Sequence, residues 1–169
     1  MLTLFAIPKH FRGHFATIQR NAILSWTRLT PRPEIVLFGN EEGTAEIAQE
    51  LGLRHFPDVT RNEFGTPVLD DLFHKAEQHA TTPLLGYVNG DIILTNDFGA
   101  AIDRVRAKLE RFMIVGRRWD LDWDQPLDVS QAGWADEQDI EVLADPLPLG
   151  QGLQGRAVET AGGAQVEIL

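Results

Sequence analysis

The chain has 169 residues, a length at which one domain buries roughly 70% of its unfolded surface, so neither disulfides nor metals are needed to hold a core. Its composition is that of a globular protein, 43% hydrophobic and 24% charged, and the absence of cysteine excludes disulfides, thiolate nucleophiles and cysteine zinc sites. The net charge of −10 argues against broad nucleic-acid binding; residues 1–118 hold 14 Lys+Arg and 14 Asp+Glu, whereas residues 119–169 hold one Arg and 11 acids.

The opening "MLTLFAIPKH" has no basic region ahead of its short apolar segment, and no run of about 18 apolar residues occurs anywhere. A cytoplasmic protein without a transmembrane segment is expected. "LTLFAI" (Leu2 to Ile7) reads as the first buried strand, and Phe15, Ile18, Ala22, Trp26 and Leu29 then fall on one helical face. "EIVLF" (Glu34 to Phe38) is the second strand. A short helix begins near Thr44 and stops at Gly52, and a weaker strand covers Leu53 to Phe56. Thr66 with Pro67 reads as a cap and first helical residue, ahead of an amphipathic set at Leu69, Leu72, Phe73, Ala76 and Ala80.

"LLGYV" (Leu84 to Val88) follows as a strand, then a helix opened by Asn96 and Asp97 with Phe98, Ala101, Ile102, Val105 and Leu109 on one face, then "FMIVG" (Phe112 to Gly116). This alternation predicts βαβ units: an α/β fold with a mostly parallel sheet and helices on both faces, a three-layer arrangement. Beyond Trp134 no sustained period is left, so residues 1–134 are expected to form the domain and residues 135–169 an acidic, Gly- and Pro-containing tail, loosely packed.

Asn89-Gly90-Asp91 admits two readings. An Asn-Gly pair between apolar runs is a signal for a tight β-hairpin, with Ile92 to Leu94 returning as a short strand. Alternatively, Leu84 to Val88 is a central parallel strand whose carboxyl end presents Asn89 and Asp91 to a ligand, as open α/β sheets do. One carboxylate there is sufficient for Mg²⁺ or Mn²⁺ when the substrate brings phosphate oxygens, whereas Asp97 belongs to helix capping.

"VGRRWDLDW" (Val115 to Trp123) places Arg117 and Arg118 after the last strand, with Asp120 and Asp122 between Trp119 and Trp123. Guanidinium groups suit diphosphate, carboxylates suit proton abstraction or sugar hydroxyls, and indoles suit rings; a surface ion-pair cluster accounts for them equally. Lys9 and Arg12, after the first strand, suit phosphate or a base, or a solvated loop. Gly150, Gly152 and Gly155 spell a dinucleotide-binding pattern without the strand and helix that give it meaning, and reads as flexible loop. The five histidines lack metal-ligand spacing, and neither a serine-hydrolase elbow nor a Walker loop is present.

Taken in order, "FAIPKHF", "QRNAILSW", "PEIVLFGN", "NEFGTP", "YVNGDIIL" and "VGRRWDLDW" resemble glycosyltransferase-like proteins of the nucleotide-diphospho-sugar transferase (GT-A) fold, over about residues 1–134. The resemblance implies a nucleotide-sugar donor, with Ile7, Pro8 and Lys9 near the nucleotide, Glu63 and Thr66 of "NEFGTP" close by, and Asn89 with Asp91 on the family's Asp-x-Asp metal motif. It implies Mn²⁺ or Mg²⁺, diphosphate stabilisation by Arg117 or Arg118, and Asp120 or Asp122 as the base that deprotonates an acceptor hydroxyl in an inverting enzyme. Family members usually continue into an acceptor-binding region, which this chain, without His after His79 and with a change of character near Ala135, is expected to shorten or replace. The second expectation is therefore an incomplete nucleotide-sugar-binding domain that acts with a partner protein or a second copy of itself.

Overall fold

A computed structural model describes residues 1–116, 125–129 and 164–168. Among the described residues are ten elements in chain order: β1 (Leu2–Ala6), α1 (Gly13–Thr27), β2 (Glu34–Phe38), α2 (Thr44–Leu51), β3 (Arg54–Phe56), α3 (Leu69–His79), β4 (Leu84–Val88), α4 (Asn96–Arg106), β5 (Met113–Gly116) and β6 (Ala164–Ile168). The strands form one sheet in the order β3-β2-β1-β4-β6-β5, and every neighbouring pair is parallel. The expected α/β class with a parallel sheet is therefore the observed one.

The apolar runs are continuous rather than alternating because the central strands are covered on both faces. Leu4 and Ala6 of β1, Ile35 and Leu37 of β2, and Leu84 and Val88 of β4 point into one core with Ala22, Ile23 and Trp26 of α1, Ile47 and Ala48 of α2, and Ile102 of α4. Their neighbours Phe5, Val36, Phe38, Leu85 and Tyr87 face the other way, onto Leu72 and Ala76 of α3. Phe5 anchors that second core, edge-on to Phe73 at 5.1 Å between ring centroids and 5.6 Å from the tilted ring of Tyr87. Truncating a fully buried ring such as Phe5 or Trp26 to Ala costs about 3–5 kcal/mol.

At the amino edge of the sheet, Glu34 gathers β1, β2, β3 and the approach to β4. Its carboxylate accepts hydrogen bonds from Thr3 Oγ1 at 2.6 Å and from the Thr81 backbone N–H and hydroxyl at 2.9 Å each, and it pairs with Arg54. Burial alone pushes this carboxyl up, but the donors together outweigh burial and hold it at about 2.

Helix ends follow the sequence signals with two corrections. Gly52 ends α2 in the left-handed conformation, φ 64°, as its position predicts. Thr66 and Pro67, however, do not start α3. Pro67 pairs with Arg61 in an antiparallel bridge and the Val68 N–H donates to Thr60 O at 2.9 Å, so these residues close a loop and the helix begins at Leu69. α4 begins at Asn96 as expected, but the cap position is Thr95, and Asn96 Oδ1 accepts the Thr30 N–H at 3.0 Å instead of capping the helix.

β6 lies in the segment expected to form the tail and runs between β4 and β5. The division expected at residues 134 and 135 and the Gly150 to Gly155 pattern lie outside the described residues. Among the described residues no helix is long and apolar enough to cross a membrane.

Candidate functional site at the carboxyl edge of the sheet

From β1 the sheet grows through β2 to β3 on one side and through β4 on the other, so the direction of winding reverses between β1 and β4. The carboxyl ends of two such strands leave a crevice between diverging loops, where open α/β sheets bind ligands. Here those ends deliver Ile7-Pro8-Lys9 and Asn89-Gly90-Asp91.

The Asn89 to Asp91 stretch is a turn, closed by the Ile92 N–H donating to Asn89 O at 3.1 Å. No returning strand follows it, because Ile92 to Thr95 run directly into α4. The hairpin alternative is thereby removed. Tyr87, on β4, donates its hydroxyl to Asn89 Oδ1 at 3.1 Å and orients that amide. Asp91 Oδ1 is buried and has no hydrogen-bond partner. Burying a carboxylate oxygen without a donor is unfavourable by about 1–3 kcal/mol, and Asp91 Oδ1 shares this state with Glu41 Oε2, after β2.

Gly90 sits at a close approach of the two strand ends. A Cβ at this position would lie 3.3 Å from Pro8 Cα and 3.2 Å from Gln19 Oε1, so the two strand ends are pressed together with a side chain of α1 beneath them. Gln19 itself is buried and grips the β1 loop reciprocally: Lys9 N–H donates to Gln19 Oε1 at 2.6 Å, and Gln19 Nε2 donates to Lys9 O at 2.9 Å. The Lys9 ammonium lies over the Phe15 ring, 4.8 Å from its centroid.

The same helix holds the other loops. Ser25 Oγ accepts the Leu94 N–H at 3.0 Å and Trp26 Nε1 donates to Ile92 O at 2.8 Å, which fixes the chain leaving the Asn89 turn. Asn21 donates to Gln125 O and accepts the Leu127 N–H, both at 2.8 Å. Gln19, Asn21 and Ser25 are thus buried polar residues that hold loop backbone, Ser25 while also donating to Ala22 O of its own helix at 2.6 Å. Polar residues among the apolar ones of "QRNAILSW" give no sign from sequence alone that these three are internal.

Glu63 and Thr66 lie on an exposed loop, 61–67, that is internally bonded. Asn62 Oδ1 accepts the Phe64 N–H at 3.0 Å and the Thr66 N–H at 2.9 Å, while the Asn62 N–H donates to Thr66 O at 2.9 Å. Arg61 ties the loop to the end of β2 by pairing with Glu41. Glu41 and Arg61 carry no sequence signal for this role. The structure thus brings Pro8, Lys9, Asn89 and Asp91 to the adjoining carboxyl ends of β1 and β4 and ties the loop bearing Glu63 and Thr66 to the turn after β2. Arg117, Arg118, Asp120 and Asp122 lie outside the described residues.

As to a metal, no group of three or more His, Cys, Asp or Glu side chains converges among the described residues. The turn offers one buried, unpartnered carboxylate oxygen, Asp91 Oδ1, and the amide oxygen of Asn89, which Tyr87 already engages. This suits a hard cation only if a ligand contributes further oxygens.

Comparison with known proteins finds no matching family model, no matching curated protein and no matching solved structure.

Proposed function

We propose that the protein is a glycosyltransferase-like domain of three-layer GT-A type that binds a nucleotide-diphospho-sugar at the crevice between β1 and β4. The observation that carries this reading is the buried, unpartnered oxygen of Asp91 at the strand end where the winding of the sheet reverses. Such a position suits phosphorylated ligands, and α1 opens beside it with no side chain capping its first N–H groups and no acidic residue in its first turn.

In this reading Ile7 and Pro8 form the floor under the nucleotide and Lys9 approaches its phosphates. Asp91, assisted by Asn89, holds Mn²⁺ or Mg²⁺ together with the donor diphosphate. When bound, that cation offsets the charge that develops on the leaving group. Arg117 or Arg118 adds charge-assisted hydrogen bonds to the same diphosphate, Glu63 and Thr66 close the donor side, and Asp120 or Asp122 takes the proton of the attacking acceptor hydroxyl. The anomeric carbon–oxygen bond to the diphosphate breaks as the bond to the acceptor oxygen forms.

Metal-dependent hydrolysis of a sugar nucleotide by the wild-type chain, absent from Asp91→Ala, tests the catalytic form of the proposal. Binding of the same compound without turnover would favour the incomplete domain that needs a partner.

A further inference from the structure

We propose that the amino edge of the sheet carries a second ligand site, a cleft beside α4 that takes a small apolar α-amino acid. The side chain of the ligand enters the cleft, its carboxylate meets Arg106 and Arg32, and its ammonium meets Asp103. The inference is independent of the sugar-nucleotide reading, since the cleft reaches Leu84 at the first residue of β4 and Asp91 lies beyond the last.

The cleft opens between α4 and the segment that joins α1 to β2. Its volume is about 530 Å³ with the open solvent at its mouth included, within the range of small-molecule sites. Buried Leu29, Pro33, Leu84 and Ile102 line it from the core side, with half-buried Phe98 beside them. An apolar group entering here leaves water for an apolar surface.

Gly99 keeps the cleft open. It stands within α4, and glycine is the least favourable residue in a helix after proline, so its presence needs a reason. Neither conformation nor packing supplies one. Its φ is not positive, and a Cβ there would meet nothing nearer than Thr30 O at 3.7 Å, an ordinary contact. What the missing side chain leaves is space in the cleft that Gly99 lines.

The charged groups lining the same cleft have both signs and are open to a ligand. Asp103 and Arg106 are three residues apart on α4 and so adjacent on its surface. Among the described residues, neither makes an ion pair or a side-chain hydrogen bond, with the other or with any third group. Arg32 uses one N–H on Leu51 O at 3.4 Å and forms no ion pair among the described residues. A purely apolar ligand leaves these three groups idle, an anion brings its charge beside Asp103, and a cation brings its charge beside two guanidinium groups. A zwitterion with an apolar body matches all of them, and a carboxylate suits the planar donors of arginine.

The test is an NMR titration of the full chain that follows backbone amide shifts, with L-phenylalanine and L-leucine as probes. Hydrocinnamate, which lacks the ammonium, phenethylamine, which lacks the carboxylate, and glycine, which lacks the apolar body, are the comparisons. The expected result is saturable shifts with one or both apolar amino acids, confined to the 29–33 segment and α4. Hydrocinnamate and phenethylamine should bind about tenfold more weakly, the scale of one hydrogen bond to a charged group, and glycine should not bind. Gly99→Leu, which fills the cleft from a helical position, should stay folded and lose the binding. Arg106→Gln and Asp103→Asn, both at exposed positions, should each weaken it about tenfold and decide the question alone if Gly99→Leu fails to fold. Absence of saturable shifts with both apolar amino acids overturns the site. So does binding that Arg106→Gln and Asp103→Asn leave unchanged, binding that folded Gly99→Leu retains, or hydrocinnamate bound as tightly as L-phenylalanine.

Discussion

Gln19 and Lys9 exchange a pair of hydrogen bonds, the Lys9 backbone N–H donating to the Gln19 side-chain oxygen at 2.6 Å and the Gln19 amide donating back to the Lys9 carbonyl at 2.9 Å. A buried side chain of α1 therefore satisfies the backbone of the loop that leaves β1, in the way a neighbouring strand would. Gln19→Ala strands both backbone groups and should destabilise the protein by about 2–4 kcal/mol, read as a lower urea midpoint. Gln19→Glu is the sharper variant. An ionised carboxylate still accepts from the Lys9 N–H but faces the Lys9 carbonyl with no proton to donate, so stability should be lost near neutral pH and partly regained in acid.

Gly90 presses on that same loop. Alanine there meets Pro8 Cα and Gln19 Oε1 at distances tighter than ordinary van der Waals contact, and the Pro8 side of the contact is backbone. Gly90→Ala should cost about 1–3 kcal/mol through overpacking. The added methyl also forces the β1 and β4 ends apart, so weaker ligand binding in calorimetry should accompany the loss of stability.

Glu34 sets an acid limit on the fold. Its folded carboxyl titrates at about 2, below the ordinary value of 4.5, so folding favours the ionised form. The stability it contributes is complete above 4.5 and is lost as pH falls from there toward 2. Asp71, held down to about 2 by Lys75 and by the Thr60 N–H, is lost in the same acid region, though its exposure makes its contribution small. Glu34→Gln should lower stability at pH 7 and flatten the decline between pH 5 and about pH 2, measured by thermal unfolding across that range.

Much of this architecture is legible in the chain itself. Glu34–Phe38 and Leu84–Val88 coincide with their runs because parallel strands buried on both faces are apolar along most of their length, Glu34 standing at the half-buried amino end of its strand. The start of α3 is not legible. Thr66-Pro67 has the chemistry of a helix start, and what overrides it is nonlocal pairing with Thr60 and Arg61. The placement of Pro8, Lys9, Asn89 and Asp91 at the carboxyl ends of β1 and β4 follows from the strand pattern. Gln19, Asn21 and Ser25 do not, since a polar residue on a helix is ordinarily assigned to solvent, and only the return of distant loops onto α1 makes these three internal. Glu41 and Arg61 are 20 residues apart in sequence and meet only because a loop folds back on the end of β2.

The central claim is that Asp91 is the acceptor around which a nucleotide-diphospho-sugar and its cation assemble. Titration calorimetry of the purified chain with UDP, GDP and their common sugar conjugates, with and without Mn²⁺ and alongside Asp91→Asn, addresses it directly. Binding to one of these compounds that requires Mn²⁺ and is weakened at least tenfold in Asp91→Asn is the predicted result. No binding across the panel by a folded protein, or binding indifferent to both Mn²⁺ and Asp91, would contradict it.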